Sequence, residues 1–173
     1  MPYKPNTKSV LSQKTLVGNT YTVSSVGIVM AEASTPTTWT FDVANFKGQS
    51  FMITKAILLT KDTGKVFGAT LFLFTKSQAT LSSAVTDKAS NTAPIEADVI
   101  AGYYLGRIDF PYTDGVTGGD SEAIATPNTA GNLPLHVKPA SDDTAIYGIL
   151  VTRSTIALTA GYNCSISMMA ALD

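Results

Sequence analysis

The chain has 173 residues, of which 45% are hydrophobic and only 14% are charged, and its formal net charge is -1. Such a length suits one domain, which buries roughly 70% of its unfolded-chain surface without metals or disulfides. Ordinary soluble domains have about 25% charged residues. A chain with so few charges and a net charge near zero has no basic surface, which excludes electrostatic binding of nucleic acid or of anionic lipid.

The first segment, residues 1–19, contains Pro2 and Pro5 and shows no hydrophobic periodicity. We therefore expect an extended N-terminal arm over 1–19, followed by a single β-sandwich domain over 20–173. The start of the chain has no apolar stretch typical of a secretion signal, so synthesis in a cytoplasm is expected.

From residue 20 onward, β-branched and aromatic residues occur in short runs separated by Gly, Pro, Asn, Asp and Ser, which is typical of strands. The eight predicted strands cover residues 20–31, 37–44, 50–61, 66–76, 103–110, 132–138, 144–153 and 162–172.

Alternation supports these strands, since Trp39, Phe41 and Val43 share one face of a strand while Thr38, Thr40 and Asp42 share the other. One helical turn before Gly102 is the only helix expected. Parallel strands need long helical crossovers, which are missing from the sequence pattern, so the sheets must be mostly antiparallel.

The connections refine the fold class. The "DTG" at 62–64 favours a hairpin between the third and fourth predicted strands, and residues 77–99 and 111–131 are predicted surface loops. Eight strands with two long excursions suit an all-β, antiparallel, jelly-roll-like sandwich.

Residues for catalysis are scarce, because His136 is the only histidine and Cys164 the only cysteine. Neither a nucleophile with its base nor a multi-histidine metal site can be assembled, so we expect no enzyme activity and no cofactor. The acidic loop 114–122 contains Asp114, Asp120 and Glu122, which are expected to be solvated turn residues, with a bound cation as the alternative.

Several strands are apolar on both faces, most clearly the strand predicted at 144–153. A two-layer sandwich on its own has two outer faces exposed to solvent. Strands that are apolar on both faces therefore predict a surface covered by another subunit. Arginine is enriched at such interfaces. The predicted interface residues are Arg107, Tyr147, Ile149, Val151 and Arg153.

The segments "LFLF", "ADVIAGYYLGRI" and "LPLHVKPASDDTAIYGILVTRSTIALTAG", the last taken as a hairpin, together with the final strand, resemble small structural proteins of tailed bacteriophages over residues 51–173. The resemblance implies a noncatalytic virion component on the capsid surface, namely a decoration or cement protein with a jelly-roll domain. It also implies a homotrimer that bridges subunits of the phage major capsid protein.

Two alternatives remain open at this point. A tail, neck or fibre-base structural protein would have the same sequence features. A glycan-binding sandwich module is the other alternative, and it would use exposed aromatic residues, for which the candidates are Trp39, Tyr103, Tyr104, Tyr112 and Tyr162.

Overall fold

The computed structural model describes residues 7–15, 21–23, 29–30, 38–61, 66–77, 79–81, 96–113, 120–127, 132–158 and 163–172. The strands are β1 (Thr7–Thr15), β2 (Tyr21–Val23), β3 (Val29–Met30), β4 (Trp39–Asp42), β5 (Phe51–Thr60), β6 (Gly68–Phe74), β7 (Tyr104–Tyr112), β8 (Ser121–Ala125), β9 (Leu135–Val137), β10 (Ala145–Thr152), β11 (Ile156–Leu158) and β12 (Asn163–Leu172). A 3-10 turn covers Ala44–Phe46, and one short helix, α1, covers Glu96–Ile100.

Two antiparallel sheets contain most of these strands. In the first sheet the order is β1-β12-β5-β8, and β9 pairs with the other end of β5. In the second sheet the order is β3-β10-β6-β7, and β4 pairs with the part of β10 that β3 leaves free. Strands β2 and β11 form a separate two-stranded ribbon.

The strand order is that of a jelly roll. Because β3 and β4 lie along one side of β10, and β8 and β9 along one side of β5, the two sheets have eight strand positions. Numbered along the chain, these positions follow the order 1-8-3-6 in the first sheet and 2-7-4-5 in the second. This double Greek key confirms the predicted all-β, antiparallel, jelly-roll-like sandwich.

The main core lies between the inner faces of the two sheets. Alternate residues point inward, so that Trp39 and Phe41 on β4 meet Leu58 on β5 and Ile166 on β12 in one buried cluster. The strand predicted around Trp39 therefore has the buried face that its alternation indicated.

Each of the eight predicted strands overlaps an observed strand, and α1 lies where the helical turn before Gly102 was expected. Within the predicted loop 111–131, however, β8 is a strand whose Ser121, Ala123 and Ala125 are buried. The loop prediction is wrong there, because small side chains give little hydrophobic contrast. Residues 1–19, treated as an arm, contain β1, which pairs with β12 along its whole length.

Both predicted hairpins are wrong. β5 belongs to the first sheet and β6 to the second, so these two strands do not pair as a hairpin. Likewise, β9 belongs to the first sheet and β10 to the second, so the hairpin expected within residues 133–161 does not form between them. Turn residues show where the chain bends, but they do not show whether the next strand stays in the same sheet.

Gly148 lies in the middle of β10 on the inner face, where a Cβ atom would stand 2.7 Å from Leu71 Cδ1 and 3.1 Å from Phe41 Cε2. Since both neighbours are fully buried, we expect Gly148→Ala to lower the free energy of unfolding by about 1–3 kcal/mol through overpacking. Urea unfolding measures this loss. The matched control is Gly68→Ala, whose nearest atoms would lie at 3.4 Å, and equal losses in both variants would contradict the packing argument.

Candidate functional site

The outer face of the second sheet is covered by the chain itself. Val29, Phe72, Phe74, Ile149 and Val151 form a second buried cluster there, separate from the main core, and we call it the outer cluster. Ile149 and Val151 are only 2% and 0% exposed in a single chain. Burial of these two residues therefore does not require a partner. The sequence showed that β10 is covered on both faces, but the cover comes from its own chain.

Beside the outer cluster, four polar residues meet on the same face of the second sheet. Thr70 on β6 is opposite Asp109 on β7 and opposite Val151 on β10, and Arg107 on β7 is two residues from Asp109. Arg153 follows the end of β10. Together they line a depression of about 310 Å³, which we call the arginine depression.

Hydrogen bonds fix the floor of the arginine depression. The hydroxyl of Thr70 donates to Asp109 Oδ1 at 2.6 Å and accepts from Arg153 Nε at 2.6 Å. Asp109 Oδ2 accepts from Asn132 Nδ2 at 2.6 Å and lies 3.2 Å from Arg107 Nε. Because Thr70 is fully buried, it holds Arg153 and Asp109 in fixed positions.

The charge of the depression is positive, since two guanidinium groups face one carboxylate. The side chains of Arg107 and Arg153 are 49% and 44% exposed, so solvent reaches both. Burial raises the pKa of nearby Tyr104, an effect that Arg107 reduces and Asp109 reinforces. The arrangement suits binding of an anionic group.

Sequence analysis selected Arg107 and Arg153 but missed Thr70, Asp109 and Asn132. The alternation in "GRIDF" already places Arg107 and Asp109 on one face of a strand. Thr70 could not be found this way, because only the pairing of β6 with β7 brings it to Asp109.

The outer face of the first sheet differs from that of the second, because apolar side chains there reach solvent. Ile57 and Leu59 on β5 are partly exposed, and Ile124 on β8 and Met169 on β12 are 37% and 39% exposed. Ile57 is opposite both Ile124 and Ser167 in the sheet register. We call these four residues, Ile57, Leu59, Ile124 and Met169, the outer row.

Those remaining candidate residues that the structure describes do not assemble into a second site. His136 is exposed on β9, and Trp39 is buried, with its Nε1 donating to the carbonyl of Met30 at 3.4 Å. Tyr103 and Tyr104 are partly exposed, whereas the side chain of Tyr112 and the whole of Tyr162 lie outside the described residues.

The acidic loop 114–122 is only partly described. Asp114 lies outside the described residues, Asp120 is exposed, and Glu122 is exposed on β8. Over the described part of the chain, no group of three or more His, Cys, Asp or Glu side chains could hold a metal ion. In that same part, no helix has the length and apolar character needed to cross a membrane.

Comparisons with known proteins give low similarity. No protein-family profile matches the chain, and no curated protein matches it. Among solved structures, a chain of the cyanophage Pam1 capsid asymmetric unit is similar at 14% identity and a TM-score of 0.38, over 100% of this chain and 89% of that one. The decameric BFDV capsid protein is similar at 13% identity and a TM-score of 0.33, over 97% of both chains. Both are viral capsid proteins, but scores this low support no argument about function.

Removing the buried hydroxyl of the arginine depression tests its role as an organiser. We expect Thr70→Val to lower the free energy of unfolding by about 1–3 kcal/mol, since Asp109 and Arg153 each lose a hydrogen-bond partner. Thr40→Val, at an exposed position of β4, is the control and should change stability by less than about 0.5 kcal/mol. Chemical denaturation measures both, and a neutral Thr70→Val would refute the organising role.

Cys164 is fully buried on the inner face of β12, and burial raises the pKa of its thiol from 9.0 to about 12. We expect maleimide to label the unfolded chain but not the folded one near neutral pH. Because the unfolded chain loses this proton first, the stability present below about pH 9 decreases as the pH rises towards 12. Cys164→Ser should show a weaker decrease, and rapid labelling of the folded protein would contradict the burial.

Proposed function

We propose that the protein is a noncatalytic structural component of a tailed-phage particle, acting as a capsid decoration or cement protein. In this proposal it is made in the bacterial cytoplasm, associates into a homotrimer, and bridges neighbouring subunits of the major capsid protein on the virion surface. The resemblance of residues 51–173 to phage structural proteins supports it. The jelly-roll fold is compatible with it, although the same fold also occurs in lectins and cupins.

The observation that carries this proposal is the exposed outer row on the first sheet. Ile124 and Met169 are large apolar side chains that a monomer leaves in water, next to the partly exposed Ile57 and Leu59. Burial of apolar area contributes about 25 cal/mol per Å², so a contact that covers the outer row stabilises association. A protein whose role is to be held between neighbours needs such a surface.

Bridging explains how a small protein of this kind would stabilise a shell. A trimer presents each contact surface three times, so individually weak contacts add to a strong one when all are made together. Separating two capsid subunits then requires breaking several contacts at once. The proposed interface therefore uses the outer row together with Arg107, Arg153 and the partly exposed Tyr147, and the buried Ile149 and Val151 have no direct part in it.

The alternative location in a tail, neck or fibre base would use the same surfaces. The glycan-binding alternative is weakened because Trp39 is 1% exposed and cannot stack on a sugar. Tyr103 and Tyr104 remain partly exposed, but Tyr104 packs against Phe72 and Phe74 of the outer cluster.

The test combines location and binding. Cryo-electron microscopy of intact particles should show this fold on the outer capsid surface, and purified protein should bind shells that lack it. Ile124→Glu places a charge in the outer row and should weaken shell binding or self-association at least about tenfold, equivalent to 1.4 kcal/mol. The matched control is Ile100→Glu on α1, a 77% exposed residue outside the outer row, which should change neither.

Three results would decide against the proposal. Density for this fold in the tail or neck would select the alternative location. Specific, tight binding to a glycan array would favour a glycan-binding module. Equal effects of Ile124→Glu and Ile100→Glu would show that the outer row is not a contact surface.

A further inference from the structure

We propose that the arginine depression of one copy binds the carboxylate of Glu122 from a second copy of this chain. The inference rests on the self-association contained in the proposed function and names the chemical contact that would produce it. The inference starts from the guanidinium N–H donors of the depression that make no hydrogen bond to a described residue.

Each arginine in the depression uses its Nε atom internally, Arg107 towards Asp109 and Arg153 towards Thr70. Within the described ranges, one other polar atom of these arginines comes close to the carboxylate: Arg153 Nη2 lies 3.8 Å from Asp109 Oδ1, beyond hydrogen-bond distance. Among the described residues, the terminal nitrogens of both guanidinium groups therefore have no hydrogen-bond partner. A carboxylate accepts two parallel N–H bonds from such a planar fork.

The charge balance fits one carboxylate better than a nucleic acid. Two positive groups and one negative group leave a single positive charge, which one added carboxylate neutralises. Nucleic-acid binding needs several phosphate contacts spread over a basic surface. The depression contains only two arginines, and the whole chain has a formal net charge of -1.

Glu122 is the acidic residue that such a contact would use, because Glu96 and Asp120, which are also exposed, lie outside the strands that form the outer row. Asp42 already accepts the backbone N–H of Ala44, and Asp142 lies 3.9 Å from Lys47. Glu122 is exposed on β8 and makes no ion pair with another described residue. Its register partner is Leu59, and Ile124 is the next residue on the same face, so Glu122 lies within the apolar outer row. One contact would therefore neutralise the depression and cover apolar surface at the same time.

The two surfaces lie on different sheets, because the depression is on the second sheet and Glu122 on the first. A contact between unlike surfaces is heterologous, and it generates a closed ring when the rotation between copies permits. A three-membered ring is the assembly that agrees with the proposed trimer.

A charge exchange tests the pairing directly. We expect Arg107→Glu and Glu122→Arg each to weaken self-association at least tenfold, as measured by light scattering over a concentration series. The double variant, with the charges exchanged, should return to within about threefold of the natural chain. Glu96→Arg, the same charge change at an exposed position of α1, is the matched control and should leave association unchanged. If Arg107→Glu does not fold, Arg107→Gln replaces it as the test variant.

Several outcomes would overturn the inference. These are a natural chain that stays monomeric at all concentrations, a Glu122→Arg variant that associates normally, or a double variant that is not restored. Loss of binding to a short DNA duplex in Arg107→Gln, with association unchanged, would assign the depression to phosphate instead. A monomer that still binds shells would overturn this inference and the proposed homotrimer but leave the decoration role standing. A restored oligomer that does not bind shells would support this inference and contradict the decoration role.

Discussion

The burial of β6 and β10 on both faces is the constraint on which the rest of the structure depends. Every residue of β6 is buried, and β10 is buried from Gly148 to its end. Their inner side chains complete the main core, and their outer side chains form the outer cluster. The second sheet is thus closed to solvent over much of both faces. Among the described strand residues, the exposed large apolar side chains, Ile124 and Met169, lie on the first sheet in the outer row.

The arginine depression depends on the same constraint. Thr70 is on β6 between apolar neighbours, and its hydroxyl is buried with two charged partners. A polar group buried in this way must be fully hydrogen-bonded, which fixes Asp109 and Arg153 in position. The rigid packing of the outer cluster thereby supports a preorganised polar site at its edge, and the parts of Arg107 and Arg153 that face solvent are held ready for an anionic group.

Local sequence patterns predicted most of the fold. The alternation around Trp39 predicted a strand with one buried face. Runs of β-branched residues separated by Gly and Pro predicted the other seven strands. β8 was missed because Ser121, Ala123 and Ala125 resemble a loop in composition. The hairpin prediction at 62–64 was wrong because sheet membership depends on partners distant in sequence, such as β10 for β6.

Prediction of the candidate site was limited for a related reason. The sequence shows that β10 is apolar on both sides, but whether the second cover comes from the same chain or from a neighbour is decided by tertiary packing. Ile149 and Val151 were therefore assigned to an interface although the chain covers them. Arg107 and Arg153 were found by residue type, whereas Thr70 joins them only through a pairing between strands 39 residues apart.

The interrupted strand positions have a consequence for how copies can meet. β3 with β4 form one border of the second sheet, β8 with β9 form one border of the first, and each of these borders is split into two short pieces. An interrupted edge strand presents only a few consecutive unpaired backbone groups. It therefore disfavours pairing with a strand of another chain and the aggregation that such pairing causes. At these two borders, association is therefore directed to side chains, whereas the opposite borders are the unbroken nine-residue strands β1 and β7.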